Sequence, residues 1–365
     1  MKHAMRLIRE DMLALALGGR PASDPTPPGR VLPRGLPESI AASVRLPWPV
    51  FTVALFALMS GLVFLGFSLD GTLGRITPGD VRVVFFGPGV TLFVMIALPA
   101  LGWLRDGGLL AMQAVTAVPE EQFDREVASR SGMSARWEFA AAVIAVGVAY
   151  LIFQPWKGGW PIFDSWIGII LFSNNHVMYG AVGVLVYRGL ANSWMFTRLQ
   201  SLPVELDPLN PQKLQPIGRW SLANSMSLLG TITVMIAFLP LNDLRSPSII
   251  TLYSVLGVCS AAAFFLGLAK THSVMAAAKE REVSKARQAI ASAYDSLKVK
   301  TAAKDLSGIE DMSYSLQMWQ SLLRELEAAP AWPYDTAILK RLLFSALAPA
   351  GAALAKLLPT LPAFK

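Results

Sequence analysis

The sequence predicts an all-α, polytopic membrane protein: six transmembrane helices in three hairpins, a cytoplasmic αα-hairpin, and a C-terminal amphipathic or re-entrant helix. Three observations carry that prediction. Only 16% of the 365 residues are charged and 53% are hydrophobic, with a mean hydropathy of +0.47, whereas soluble domains carry about 25% charged residues. Apolar runs close to the roughly 20 residues needed to cross a hydrocarbon core recur six times. Finally, 28 of the 32 Lys and Arg residues fall in the two tails and in alternate loops, the asymmetry of a positive-inside protein.

In chain order, residues 1–45 read as a cytoplasmic N-terminal region. Met5, Ile8, Met12 and Leu15 recur at helical spacing, with Arg6 and Arg9 among the polar positions. This predicts an amphipathic helix along the inner membrane surface. The stretch GGRPASDPTPPGRVLPRGLP (18–37) reads as an extended linker. The short apolar patch MLALALGG lacks the charge-free core and small-residue cleavage site of a removed signal peptide.

Residues 46–272 form the predicted transmembrane domain, with spans Trp48–Leu69, Val83–Leu104, Phe139–Trp156, Ile162–Tyr187, Leu222–Leu239 and Ser248–Ala269. Asp164, at the end of its span, is their one charged residue. Each odd span opens with a basic residue and a nearby Trp: RLPW (45–48), ARW (135–137) and GRW (218–220). That pattern predicts an Arg at the headgroups and a Trp in the interfacial belt, fixing the height of each hairpin. Each even span runs into a polar, helix-prone segment after Arg105, Arg188 or Lys270. The second span contains FFGPGV (85–90) and Pro99, which predicts a kinked or broken helix with Gly87, Pro88 and Gly89 as hinge.

The charge asymmetry places both termini in the cytoplasm of a bacterial inner (plasma) membrane protein. The outer loops hold Arg75, Arg82, Lys157 and Arg245 against Asp70, Asp80, Asp164 and Asp243, so the net +7 lies on the cytoplasmic side. There it faces anionic lipid headgroups. Despite the pI of 9.6, no nucleic-acid-binding motif occurs, and no nucleic-acid partner is expected.

Residues 273–330 read as a cytoplasmic helical pair. Val283, Ala286, Ile290, Ala293 and Leu297 are spaced 3-4-3-4. Ile309, Met312, Leu316, Trp319, Leu323 and Leu326 continue that rhythm beyond a turn at 301–308. The seam covers about one and a half heptads per helix, short of a free-standing coiled coil. A local αα-hairpin is therefore preferred over pairing between copies, with its outer face open to homo-oligomer contacts. The final segment, 331–365, reads as a membrane-associated helix. Its apolar part, 342–358, is at the short limit for a span and contains Pro349 and Lys356.

The chemistry of the chain points away from catalysis. Its single cysteine, Cys259, leaves no intramolecular disulfide and no Cys-based metal site. No HExxH, phosphate-binding glycine loop or GxSxG elbow occurs, so no enzyme activity, metal or cofactor is expected. No span interior offers a carboxylate for proton-coupled transport.

What stands out is FSNNHVMYG (172–180) in the fourth span. Successive helical residues turn by about 100°, so Asn174, Asn175 and His176 sweep roughly 200° around the helix. Either protein surrounds this span on most sides, or the helix unwinds there. Tyr179 extends the group, and Thr231, Thr233 and Ser254 are the predicted partners on spans five and six. Such residues serve as interhelical glue or line a water-filled or ligand path of neutral polar sites.

The leading expectation is a homo-oligomeric membrane channel gated or assembled by its cytoplasmic helices. The alternatives are a non-conducting signalling or scaffold protein with a cytosolic partner, and a carrier for a small neutral or lipid-like solute.

Overall fold

A computed structural model describes residues 35–130, 134–154, 164–204, 206–239, 244, 246–303 and 308–329, together with 340, 344, 347–349 and 351–352. The predicted amphipathic helix at 1–18 lies outside the described residues, as does most of 331–365. Nine α-helices follow in order among the described residues. They are α1 (Leu36–Ser43), α2 (Trp48–Leu69), α3 (Pro78–Gln113), α4 (Glu120–Arg130), α5 (Ala135–Phe153), α6 (Trp166–Leu199), α7 (Gln215–Phe238), α8 (Pro247–Ala302) and α9 (Ile309–Ala328). No strand occurs among these residues; one isolated antiparallel bridge joins Thr116 to Val204. Six helices, α2, α3 and α5 to α8, are long and apolar enough to cross a membrane.

The bundle has an inner set and an outer set. Helices α3, α6 and α7 pack against one another, with α8 closing the group against α6 and α7. Their shared core includes Val94, Leu98, Met178, Leu185, Leu228 and Met235. Helices α2 and α5 flank the core, and they turn Val53, Leu58, Val143, Ile144 and Leu151 outward. Side chains this apolar are stable when exposed only if hydrocarbon, not water, is the solvent. Close approach is won with small residues, as is usual where lipid gives no hydrophobic drive. A side chain at Gly183 would run into Ala145 and Ala141 of α5.

The charge-rich ends of the even spans continue their helices. Helices α3, α6 and α8 run unbroken past Arg105, Arg188 and Lys270 to Gln113, Leu199 and Ala302. Their extensions meet α4 and build a second core from Leu109, Phe123, Val127, Phe196, Trp220 and Met275. Helix α8, with 56 residues, is about 84 Å long at 1.5 Å per residue. Helix α9 packs against it. Val283 and Ala286 are buried against Leu326, with Trp319 and Leu323 beside them. Ile290, Leu297, Ile309 and Leu316 are half-buried along the same helices. Lys279 donates through Nζ to the Glu327 and Ala329 carbonyls, at 2.7 and 2.8 Å. That places a cation at the negative end of the α9 dipole.

Of the two expectations for the second span, kinked or broken, the break is not seen: α3 is α-helical from Pro78 to Gln113 with Pro88 and Pro99 inside it. Gly87 and Gly89 instead admit neighbours, Gly87 beside Asn174 and Gly89 against the Phe238 ring. The stretch expected as a linker lies outside the described residues up to position 34; at its end α1 forms at Leu36–Ser43 with a proline in its first turn, where the missing N–H costs no helical bond. One expectation needs correction: the three Trp residues are not equivalent. Trp137 is 65% exposed, whereas Trp220 is 1% exposed, its ring centroid 5.0 Å from that of Phe196. The GRW motif opens α7 inside the second core, so Trp220 is walled by protein instead of resting in an interfacial belt.

Candidate functional site

Helix α6 is regular α-helix from Trp166 to Leu199, so its three consecutive polar residues must diverge. They can do so because α2, α3, α5, α7 and α8 all contact this helix. Ser165 caps its start, accepting from the Gly168 N–H at 3.1 Å. Asp70, at the end of α2, accepts from the Trp166 and Ile167 N–H groups at 3.0 and 2.9 Å. A carboxylate on the first free N–H groups of a helix also meets its positive dipole end.

From that fixed start each polar side chain takes its own direction. Asn174 is buried and donates through Nδ2 to the Met59 carbonyl of α2 at 3.0 Å. It is a tie between helices, of a kind worth about 0.6–2 kcal/mol. Ser173 is exposed and bonds back to the Ile169 carbonyl. Asn175, His176 and Tyr179 turn towards a half-open cavity of about 420 Å³ lined by α3, α5, α6, α7 and α8, within the range of small-molecule sites.

The cavity is mainly apolar. Phe86, Phe153, Phe172, Met235, Leu239 and Leu252 provide much of the wall, and none of the lining residues among those described is charged. The polar groups are Tyr150, Asn175, His176, Tyr179 and Ser246. Tyr150 Oη lies 2.6 Å from His176 Nε2, and His176 Nδ1 lies 2.6 Å from the Phe172 carbonyl. A carbonyl oxygen only accepts, so Nδ1 carries a proton; in neutral His176, Nε2 then accepts from the Tyr150 hydroxyl. Phe172 packs edge-on against the imidazole at 4.3 Å, and Phe153 stacks on Tyr179 at 5.9 Å. Asn175 has no hydrogen-bond partner among the described residues.

The other predicted partners lie elsewhere. Thr231 bonds to the Ser227 carbonyl, Thr233 to that of Leu229 and Ser254 to that of Ile250, each within its own helix. None of the three lines the cavity. Spans five and six do share a polar contact, a 2.7 Å hydrogen bond between the Ser225 and Ser260 hydroxyls, but it is not part of the His176 group. Nearby, Ser193 donates to the Gly189 carbonyl or the Ala263 carbonyl, at 2.8 and 3.0 Å. Asn224 is fully buried with neither amide atom paired, packed where Gly189 leaves room.

Sequence reasoning passed over one cluster altogether. Arg188, late in α6, donates through Nε to Glu138 Oε1 at 2.7 Å and through Nη2 to Oε2 at 3.1 Å. Its two Nη groups also fork onto the Glu38 carboxylate of α1. Glu138 is fully buried and also accepts from the Leu36 N–H at 2.5 Å. Burial pushes the Glu38 carboxyl up, but Arg188's hydrogen bonds and charge, aided by Arg105, hold it below its ordinary value. A side chain on Gly35 would strike Arg188 and Glu138, so a glycine is needed where the chain crosses the ion cluster. The signal was present: span three begins and span four ends on one membrane face, which sets Glu138 and Arg188 at equal height. Glu38, just past the expected linker, gave no such cue.

Among the described residues, no group of three or more His, Cys, Asp or Glu side chains could hold a metal ion. Comparison of the chain with protein-family models, with curated proteins and with solved structures finds no match, so the functional reading rests on the site's own geometry.

Proposed function

We propose that this protein binds a small, largely apolar molecule within the membrane, in the cavity around Tyr150 and His176, and acts as a carrier or receptor for it. The observation behind this reading is the cavity's make-up: about 420 Å³, walled by aromatic and aliphatic side chains, with a few convergent polar groups and no charge among the described lining residues. A ligand that fits gains by burying apolar area, at about 25 cal/mol per Å², and is oriented by the polar groups. Three-hairpin topology with cytoplasmic termini is compatible with the pairings of α2 with α3, α5 with α6 and α7 with α8. Helices α8 and α9 would then form a cytoplasmic hairpin able to report ligand occupancy to a partner or a second copy.

The channel reading is the alternative. It draws on the same Asn175–His176–Tyr179 group, but it needs polar groups along a path, and Thr231, Thr233 and Ser254 spend their hydroxyls on their own helices. Reconstitution in liposomes separates the two. Binding predicts vesicles as tight to ions as empty ones, with saturable uptake or retention of an apolar probe. Conductance that changes in His176→Ala or Asn175→Ala would favour the channel.

A further inference from the structure

The hydrogen-bond inventory of the cavity goes beyond its apolar character. His176 Nδ1 spends its proton on the Phe172 carbonyl, and in neutral His176 the Tyr150 proton goes to Nε2. The phenolic oxygen of Tyr150 therefore keeps lone pairs but has no further proton to give. Asn175, on the same wall, has a free amide donor and a free amide acceptor. Among the described residues no carboxylate, ammonium or guanidinium lines the space, and an unpaired charge brought in from water would carry a high desolvation cost.

Resting on the cavity reading, we infer that the ligand is a neutral molecule bearing a hydroxyl on an aromatic or aliphatic body. A hydroxyl both donates and accepts through one atom, so it can give its proton to the acceptor left on Tyr150 while accepting from a donor on the same lining, Asn175, Tyr179 or Ser246. An ether or ketone of the same shape can only accept, so it leaves the Tyr150 oxygen unmet. A carboxylate of similar shape adds a charge that nothing in the lining neutralises. Phe86, Phe153 and Phe172 suit an aromatic body through edge-to-face contact, which adds about 0.5–1.5 kcal/mol per pair beyond buried area.

The test uses the full-length protein in lipid nanodiscs with three probes of one shape: 2-naphthol, 2-methoxynaphthalene and naphthalene-2-carboxylate. Native mass spectrometry of the released complexes gives stoichiometry and affinity. The expected result is one site per chain and 2-naphthol binding about tenfold tighter than its methyl ether, the size of one hydrogen bond. The carboxylate is expected to bind weakest. Tyr150→Phe, which keeps the ring and the volume, should bring 2-naphthol down to the level of the ether, and Val146→Trp should reduce binding of all three. Equal affinity of wild type for 2-naphthol and its ether, or a preference that survives in Tyr150→Phe, overturns the hydroxyl inference and leaves the cavity reading intact. Probe binding in wild type no different from Val146→Trp overturns both.

Discussion

Arg188 shows how much one side chain can hold in place. Its guanidinium ties α6 to the start of α5 through Glu138 and to α1 through Glu38, using the forked donor geometry that lysine lacks. Removing one partner of a buried ion pair leaves the other charge stranded, at a cost of about 3–5 kcal/mol. Arg188→Met should therefore lower unfolding stability in detergent by that amount. Combining it with Glu138→Gln should recover part of the loss, because the buried carboxylate is gone. Glu38 supplies a pH signature. Its carboxyl is held below its ordinary value, so its contribution is present above that value and disappears as pH falls through the lower, folded-state value. Hydrogen-exchange protection factors at residues 36–43, corrected for the intrinsic pH dependence of exchange, should be unchanged between pH 7 and 5 and fall only at stronger acidity. A fall already between pH 7 and 6 would contradict this assignment. Asn224 makes the opposite case: both amide atoms are buried and unpaired, and such a group is costly. Asn224→Leu should leave stability unchanged or raise it, as read by thermal unfolding.

At the scale of elements, the spans were the most legible feature, because length and apolarity are local properties of the chain. The unbroken run of α3, α6 and α8 into their polar extensions was legible for the same reason. The fate of individual side chains was not. Asn174 and Asn175 are neighbours in sequence, yet one ties α6 to α2 and the other faces a cavity, a difference set by which helices pack on which side. Trp220 reads like Trp137 until α4 and the end of α6 cover it. The proline and glycines of α3 suggested a kink or a break; the helix runs on through them, and the glycines allow close approach to Asn174 and Phe238. The contact between the polar end of α8 and α9 is held by a small buried set, so it is sensitive to truncation there. Leu326→Ala should cost about 2–5 kcal/mol locally and speed hydrogen exchange across 309–328, while the membrane core stays protected.

For the whole molecule, the physics divides by solvent. Between the helix ends, the outward faces of α2, α5 and part of α8 are apolar and the buried faces combine small residues with neutral polar ties. Beyond the ends, a second core and the α8–α9 pair follow the rules of water-soluble packing. The cavity lies in the first region, at the junction of five helices, which is where a lipid-dissolved molecule would be met. Photolabelling reads the occupancy of this space directly. An uncharged adamantyl diazirine should label the protein in native membranes, with tandem mass spectrometry locating the adducts. Saturable labelling is expected at Tyr150, Tyr179 and neighbouring lining residues, competed by unlabelled 2-naphthol and lost in Val146→Trp. Labelling that never saturates and falls only on the outward faces of α2, α5 and α8 would contradict it.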